Sequence, residues 1–440
     1  SWEPNDPLFS SQSHYSSIGL EAAWEITKGS PSAVVQVLDT GLDMAHEDLQ
    51  NNIWQNPGEI CGNGVDDDGN GYVDDCHGYN HADGTGTELL GDGSHGSHCA
   101  GTISADSNNG VGVAGVAGGD GTPGSGASIM VSVGFGTTAY GGFAEALVYG
   151  ADNGANISSN SWGYTSPDVC EQAVIDAIDY YNDMGGIVVF AAGNSNSEAC
   201  YYPGCYDGVV GVAALEDSGV RASFSNYGEW IDISAPGVDV LSTVTIDDGS
   251  YDRYSGTSMA CPHVSGVLAL GLSFNLTASK NELLDCAYST ATNIDELNPS
   301  NVGQLGAGLI DAFAFLDCLG GTLAPTITPA PSTSPPSSVP TTTPAPTAIC
   351  AVGYVADCSG DGDCCLESWI GDGFCDGEDQ EWNCDLTCYD NDGGDCGDDD
   401  WDDESPDYSY SYSYSHKHGG VDSYSYSYSP TTYAPTAVET

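Results

Sequence analysis

Short apolar runs and helix-like stretches alternate along the first 320 residues. Residues 33–38 (AVVQVL) and 186–190 (GIVVF) are β-branched and almost wholly apolar, the pattern of strands covered on both faces. Stretches such as 171–182 and 262–274 instead suit helices. Strands of this kind alternating with helices predict an α/β fold with a mostly parallel central sheet between helical layers.

The alternation stops near residue 320, which closes a first domain over 1–320. Residues 321–349 are rich in Thr, Pro and Ser and read as an extended linker suited to O-glycosylation. Residues 350–397 hold eight cysteines, a segment too short for a core without disulfides or metal. Residues 398–440 combine an acidic patch with Ser-Tyr repeats and offer no hydrophobic face, so disorder is expected there.

Charge narrows the function classes. Five Lys and Arg stand against 64 Asp and Glu in 440 residues, a formal charge of −59, which repels nucleic acid and anionic membranes. No apolar run approaches the roughly 20 residues of a membrane-spanning helix. Seventeen cysteines point to an oxidising compartment. The sequence starts at Ser1 with no initiator Met or signal-like stretch, so the expectation is a processed, secreted, soluble protein.

Four short motifs carry chemistry. Val37-Leu38-Asp39-Thr40-Gly41 puts an acid at the carboxyl end of a buried strand, where open α/β sheets form ligand crevices. His95-Gly96-Ser97-His98-Cys99-Ala100-Gly101-Thr102 and Gly256-Thr257-Ser258-Met259-Ala260-Cys261-Pro262-His263 put a His and a Ser at helix starts. A serine hydroxyl attacks well only when a base such as His95 takes its proton, and Asp39 would hold and stabilise that imidazole. Asn194, in Ala191-Ala192-Gly193-Asn194-Ser195, offers an amide donor for an oxyanion beside the Ser258 backbone N–H. Singly, each is more often a turn or packing residue; together they agree in type, context and order. His98 and His263 read as packing residues, and Cys99 and Cys261 as buried thiols.

With Asn5-Asp6-Pro7, Ser223-Phe224-Ser225-Asn226-Tyr227-Gly228 and Ile233-Ser234-Ala235-Pro236-Gly237, these motifs resemble the subtilase family over nearly all of 1–320, its thermitase and proteinase K-like branch in particular. The order Asp, His, Ser is the one known for subtilisin. The resemblance implies a subtilisin-like three-layer fold and an endopeptidase acting on polypeptides through Asp39, His95, Ser258 and Asn194. It implies an extended substrate between Ser161-Trp162-Gly163 and Gly136-Thr137-Thr138, with a primary pocket walled by Ser161–Gly163 and Ala191-Ala192-Gly193 that tolerates apolar side chains. It also implies a zymogen whose propeptide serves as inhibitor and chaperone, and a monomeric mature enzyme.

Calcium is the expected cofactor. In 63–75 (NGVDDDGNGYVDD), Asp66, Asp68 and Asn70 follow calcium-loop spacing, with the Tyr72 carbonyl next and Asp74 or Asp75 replacing the usual Glu. Cys61 and Cys76 bracket the loop; their pairing is worth about 3 kcal/mol in a chain-entropy account. Resemblance to thermitase-like members implies a second site from Asp6, Asp48, Asn109 and the carbonyls of Asp106, Val111 and Val113. Cys286 with Cys318 is a plausible pair, while Cys170, Cys200 and Cys205 leave the choice open. Asn275-Leu276-Thr277 is a glycosylation sequon; Asn156-Ile157-Ser158 matches too but falls in an expected buried strand. In 369–396, Asp372, Asp376, Asp392 and Asp395 among cysteines resemble a Lin-12/Notch repeat organised around calcium. The rival reading is an acidic extracellular calcium-binding or matrix protein on an inactive protease scaffold. The 42 acids before residue 350, against four basic residues, suggest a surface suited to salty or calcium-rich surroundings.

Overall fold

The computed structural model describes residues 2–91 and 93–320, together with the short strands 354–356, 364–366 and 436–437. Two compact units emerge, one of residues 1–327 with 430–440 and one of 328–429. In the first, the strands are β1 (Val34–Asp39), β2 (Gly78–Asn80), β3 (Ser128–Val133), β4 (Ile157–Asn160), β5 (Trp162–Gly163), β6 (Ile187–Ala191), β7 (Val210–Leu215), β8 (Ile233–Pro236), β9 (Val240–Thr243) and β10 (Tyr251–Tyr254). The α-helices are α1 (His14–Ser17), α2 (Leu20–Ala23), α3 (His95–Ser104), α4 (Phe143–Asp152), α5 (Gln172–Asp183), α6 (Thr257–Phe274), α7 (Lys280–Ser289) and α8 (Ala312–Leu319).

Seven strands form one parallel sheet in the order β2-β3-β1-β4-β6-β7-β8. Successive side chains feed opposite cores, as the strand period of two requires. Val35 and Val37 join the core under α3 and α6, whereas Leu38 joins the core under α4 and α5; Val189 and Phe190 divide the same way. The expected α/β fold with helices on both faces is thus present. Because all seven strands run one way, their carboxyl ends, at Asp39, Asn160 and Ala191, share one edge.

The helix-like stretch from 262 is part of a helix that begins at Thr257, so Ser258 stands at a helix start as its motif predicts, with Pro262 in the interior. Among the described helices α6 alone is long and apolar enough to cross a membrane, but it is 89% buried and serves as the central core helix. Gly101 lets α3 press on β9: a Cβ there would stand 2.0 Å from Thr243 Oγ1. In the second unit, Tyr354–Ala356 and Cys364–Leu366 pair antiparallel. The expected Notch-like carboxylates, the Thr/Pro/Ser linker and most of the tail lie outside the described residues.

Candidate active site

Asp39 ends β1 and is 1% exposed; its Oδ1 accepts a 2.7 Å hydrogen bond from His95 Nδ1 and another from the Thr40 N–H. His95 is the first residue of α3, so the helix carries the ring over the sheet's carboxyl edge. Burial, the largest influence, would discharge the imidazole, but the Asp39 carboxylate and the Cys99 sulfur together outweigh it and hold the His95 pKa well above its ordinary 6.5. The ring is fixed through Nδ1, leaving Nε2 to meet a nucleophile.

Ser258 is fully buried in the first turn of α6. Its position follows from Pro262, which has no N–H to give the Ser258 carbonyl four residues back. That carbonyl instead accepts from Ser161 Oγ at 2.8 Å and from Cys99 Sγ at 3.5 Å. Ser258 Oγ in turn donates to the Ser161 carbonyl at 3.3 Å. Pro262 thus leaves free the carbonyl through which the first turn of α6 docks on Ser161, the residue before β5. Cys99, one turn after His95, lies 4.0 Å from His95 Nδ1, so the two catalytic helices meet beneath the site.

Asn194 follows β6, and its Oδ1 accepts from the Thr257 N–H and hydroxyl, each at 2.9 Å. With the oxygen engaged, Nδ2 is turned to the Gly256–Ser258 corner, where a Cβ on Gly256 would lie 3.3 Å from it and 3.6 Å from Ser258 N. Both nitrogens thus border one point, the spacing that two donors to a developing oxyanion require. Asn194→Ala is expected to lower kcat about 100- to 1,000-fold with little change in KM. Steady-state kinetics on a chromogenic peptide would check it, and a fall confined to KM would reject the assignment.

Of Ser161-Trp162-Gly163, the last two form the short strand β5. Trp162 is wholly buried against Phe143 and Phe190, so β5 offers backbone at that residue. Ala191 and Ala192 are buried and small, and Gly193 takes φ +98°, which favours glycine. Two residues missed in the sequence shape these walls. Asn226 Nδ2 donates to the Ala192 carbonyl at 2.8 Å, while its Oδ1 accepts from Ser195 and Ser197 N–H. Asp83 accepts from the Thr137 N–H at 3.1 Å and from the Thr138 hydroxyl, pinning Gly136–Thr138. Asn226 lay within a noted motif; nothing local marked Asp83. The neighbouring histidines are packing groups: burial pushes His98 down to about 3 and His263 down to about 4, keeping both neutral. Burial likewise pushes the Cys261 thiol up to about 12.

The residues of the thermitase-like calcium set also gather. Asp6 accepts from Asn108 and Asn109 N–H, and Asp48 from Asn109 Nδ2 at 2.8 Å and Val113 N–H at 2.9 Å. Burial pushes Asp48 up to about 7 and Asp106 up to about 6, with Asp6 adding like-charge repulsion to both. An oxygen-rich, charge-frustrated pocket of this kind fits calcium. In the loop 63–75, Asp66 accepts from Gly69, Asn70 and Gly71 N–H, and Asp74 from Asn63 and Gly64 N–H, so both carboxylates shape turns. Tyr72 packs on Tyr79 and Tyr149, while Asp68 and Asp75 both accept from the Asn70 amide. Cys61 is bonded to Cys76, Cys286 to Cys318, and Cys200 to Cys205, which leaves Cys170 exposed and Cys99 and Cys261 buried as thiols. Asn275 ends α6 half-buried, whereas Asn156 Oδ1 accepts from the Val34 N–H at the start of β1.

Comparison with known proteins agrees with this geometry. Residues 30–308 match the profile described as the Subtilase family. Thermitase of Thermoactinomyces vulgaris is 34% identical over 63% of this chain and 88% of its own length. A halolysin-like extracellular serine protease of Natrialba magadii is 34% identical over 70% of this chain, which spans 52% of that relative. Among solved structures, a protease of Pseudoalteromonas arctica superposes with a TM-score of 0.58 at 30% identity, covering 72% of this chain and 99% of the other.

Proposed function

The chain belongs to the subtilase family of serine endopeptidases, and from that premise we propose that it is a secreted, calcium-stabilised protease of broad specificity with an apolar preference. The observation that carries the reading is the 2.7 Å Asp39–His95 contact, with Cys99 joining the helices of His95 and Ser258 below it.

Ser258 Oγ attacks the scissile carbonyl carbon as His95 Nε2 takes its proton, and Asp39 stabilises the imidazolium. The oxyanion accepts from Asn194 Nδ2 and the Ser258 N–H. Collapse breaks the C–N bond, His95 returns the proton to the leaving amine, and water hydrolyses the acyl-enzyme by the same relay. Substrate lies extended along β5, adding a strand through backbone hydrogen bonds. In support, that edge accepts Thr436–Ala437 of this chain antiparallel, with Thr436 opposite Gly163 and Ala437 opposite Trp162. The small walls at Ala191–Gly193 suit apolar side chains before the cut. Secretion is supported by three disulfides and by the extracellular relative. Calcium held by Asp6, Asp48 and Asn109 with the carbonyls of Asp106, Val111 and Val113 would supply positive charge tying the N-terminal arm to 106–113. A propeptide that folds and inhibits the enzyme, and a monomeric mature form, complete the proposal.

A fluorophosphonate serine probe tests it. Folded, calcium-loaded protein is expected to label, Ser258→Ala to remain unlabelled, and chelator to slow labelling as circular dichroism reports loss of structure. No labelling of the folded protein would move the acidic matrix reading ahead.

A further inference from the structure

Among the described residues the strand partner of β5 is Thr436–Ala437, which joins it antiparallel in a two-stranded sheet. Thr436–Ala437 also belongs to the same compact unit as the catalytic residues. An open strand edge is a template for another strand, and this chain fills it with a piece of itself.

The register says where the added strand leads. Thr436 stands opposite Gly163 and Ala437 opposite Trp162, so rising numbers in one strand meet falling numbers in the other. One step further along that register, Val438 meets Ser161. The Ser161 carbonyl is 3.3 Å from Ser258 Oγ, and the Ser161 hydroxyl donates to the Ser258 carbonyl at 2.8 Å. The other direction is closed. The Tyr164 N–H already donates to the Tyr202 carbonyl at 3.0 Å, and Pro435, next in that register, has no N–H to give. The pairing can lengthen only toward the nucleophile.

We propose that the chain is its own substrate: Ala-Pro-Thr-Ala followed by an aliphatic residue is recognised along β5 and cut after that residue, at Val438–Glu439. The pattern occurs once more in the sequence, as Ala345-Pro346-Thr347-Ala348-Ile349, directly before Cys350. The same recognition cuts Ile349–Cys350 and parts the peptidase domain from the cysteine-rich segment. This inference rests on the endopeptidase reading above and gives it a substrate class.

The residue types suit the groove. Trp162 is wholly buried, so recognition there runs through backbone, which any extended segment offers. A proline fixes its own φ and biases the residue before it toward extended backbone, which lowers the cost of adding a strand. Val and Ile before the cut match the small walls at Ala191 and Ala192. In the reaction, Ser258 Oγ bonds to the Val438 carbonyl carbon, the C–N bond to Glu439 breaks, and His95 passes the proton to the freed Glu439 amine. Water then hydrolyses the ester, leaving a Val438 carboxylate and the Ser258 hydroxyl. Because the segment is tethered, its concentration at the groove is set by the chain and not by the solution.

Full-length protein incubated with calcium, sampled over time by intact mass and C-terminal peptide mapping, tests this. New carboxyl ends at Val438 and Ile349 are expected, and Ser258→Ala should keep both bonds. The rate constant for the Val438 cut should hold on about tenfold dilution, as cutting within one chain requires. Val438→Asp should slow that cut about tenfold or more while leaving the Ile349 cut and hydrolysis of a chromogenic peptide unchanged. An enzyme that hydrolyses the chromogenic peptide but leaves either bond intact, or cuts its tail at other bonds, would overturn this inference and leave the endopeptidase reading standing. A Val438 cut that slows in proportion to dilution would overturn recognition within one chain. Folded protein inactive on the peptide as well would remove both.

Discussion

Replacing His95 by alanine is expected to lower kcat about a million-fold while leaving KM within a few-fold. The size follows from what the ring does. A serine hydroxyl at neutral pH is almost wholly protonated, and within the site His95 is the base held for it, anchored by Asp39 at 2.7 Å. Oxyanion donors at Asn194 and Ser258 N–H remain, so residual catalysis about 1,000- to 10,000-fold above water should persist. Ser258 and His95 act in one step, and their losses should not add: Ser258→Ala combined with His95→Ala is expected to be no slower than either alone. Kinetics on the two single variants and the double variant decide it. A double variant slower by the product of the single effects would mean that the two residues act independently.

How far the sequence carries this reading depends on the range of each interaction. β1 and β6 were legible because burial on both faces leaves a local apolar run, and their observed bounds differ from the expected ones by one residue at each end. The residues proposed as catalytic could be singled out in the sequence because each sits in a small-residue motif whose local geometry does the positioning. What the sequence did not show is how Pro262 stands inside the helix that starts before Ser258: its missing bond is replaced from Ser161, about a hundred residues away in sequence. Asp83 was invisible for the same reason: its partners Thr137 and Thr138 are 54 and 55 residues away, and no spacing rule links them. Contacts made by the backbone of a motif can be read in sequence; contacts between motifs need the fold.

Asp39→Asn should cut kcat about 10,000-fold and also move the pH profile, which separates its role from a purely structural one. In the intact protein burial disfavours the charged imidazole, and the Asp39 carboxylate, helped by the Cys99 sulfur, overrides it, raising the His95 pKa above 6.5. Neutral His95 is the working base, so activity rises with pH through that raised value, and the acid limb of kcat/KM lies above 6.5. Stability has the opposite sense. The His95–Asp39 contribution is complete below about pH 6.5, the unfolded pKa, and is lost as pH rises through the folded one. Without the carboxylate, burial is opposed by the Cys99 sulfur alone and the His95 pKa falls, so the acid limb should shift toward lower pH even as the plateau collapses. The Thr40 N–H still needs an acceptor at Oδ1, which holds the asparagine oxygen where the carboxylate oxygen was. Turned the other way, the amide NH2 makes Nδ1 an acceptor and leaves the proton on Nε2, the tautomer that cannot act as base, and that population accounts for most of the loss. An unshifted limb with a lowered plateau would show that Asp39 orients the ring without stabilising its charge.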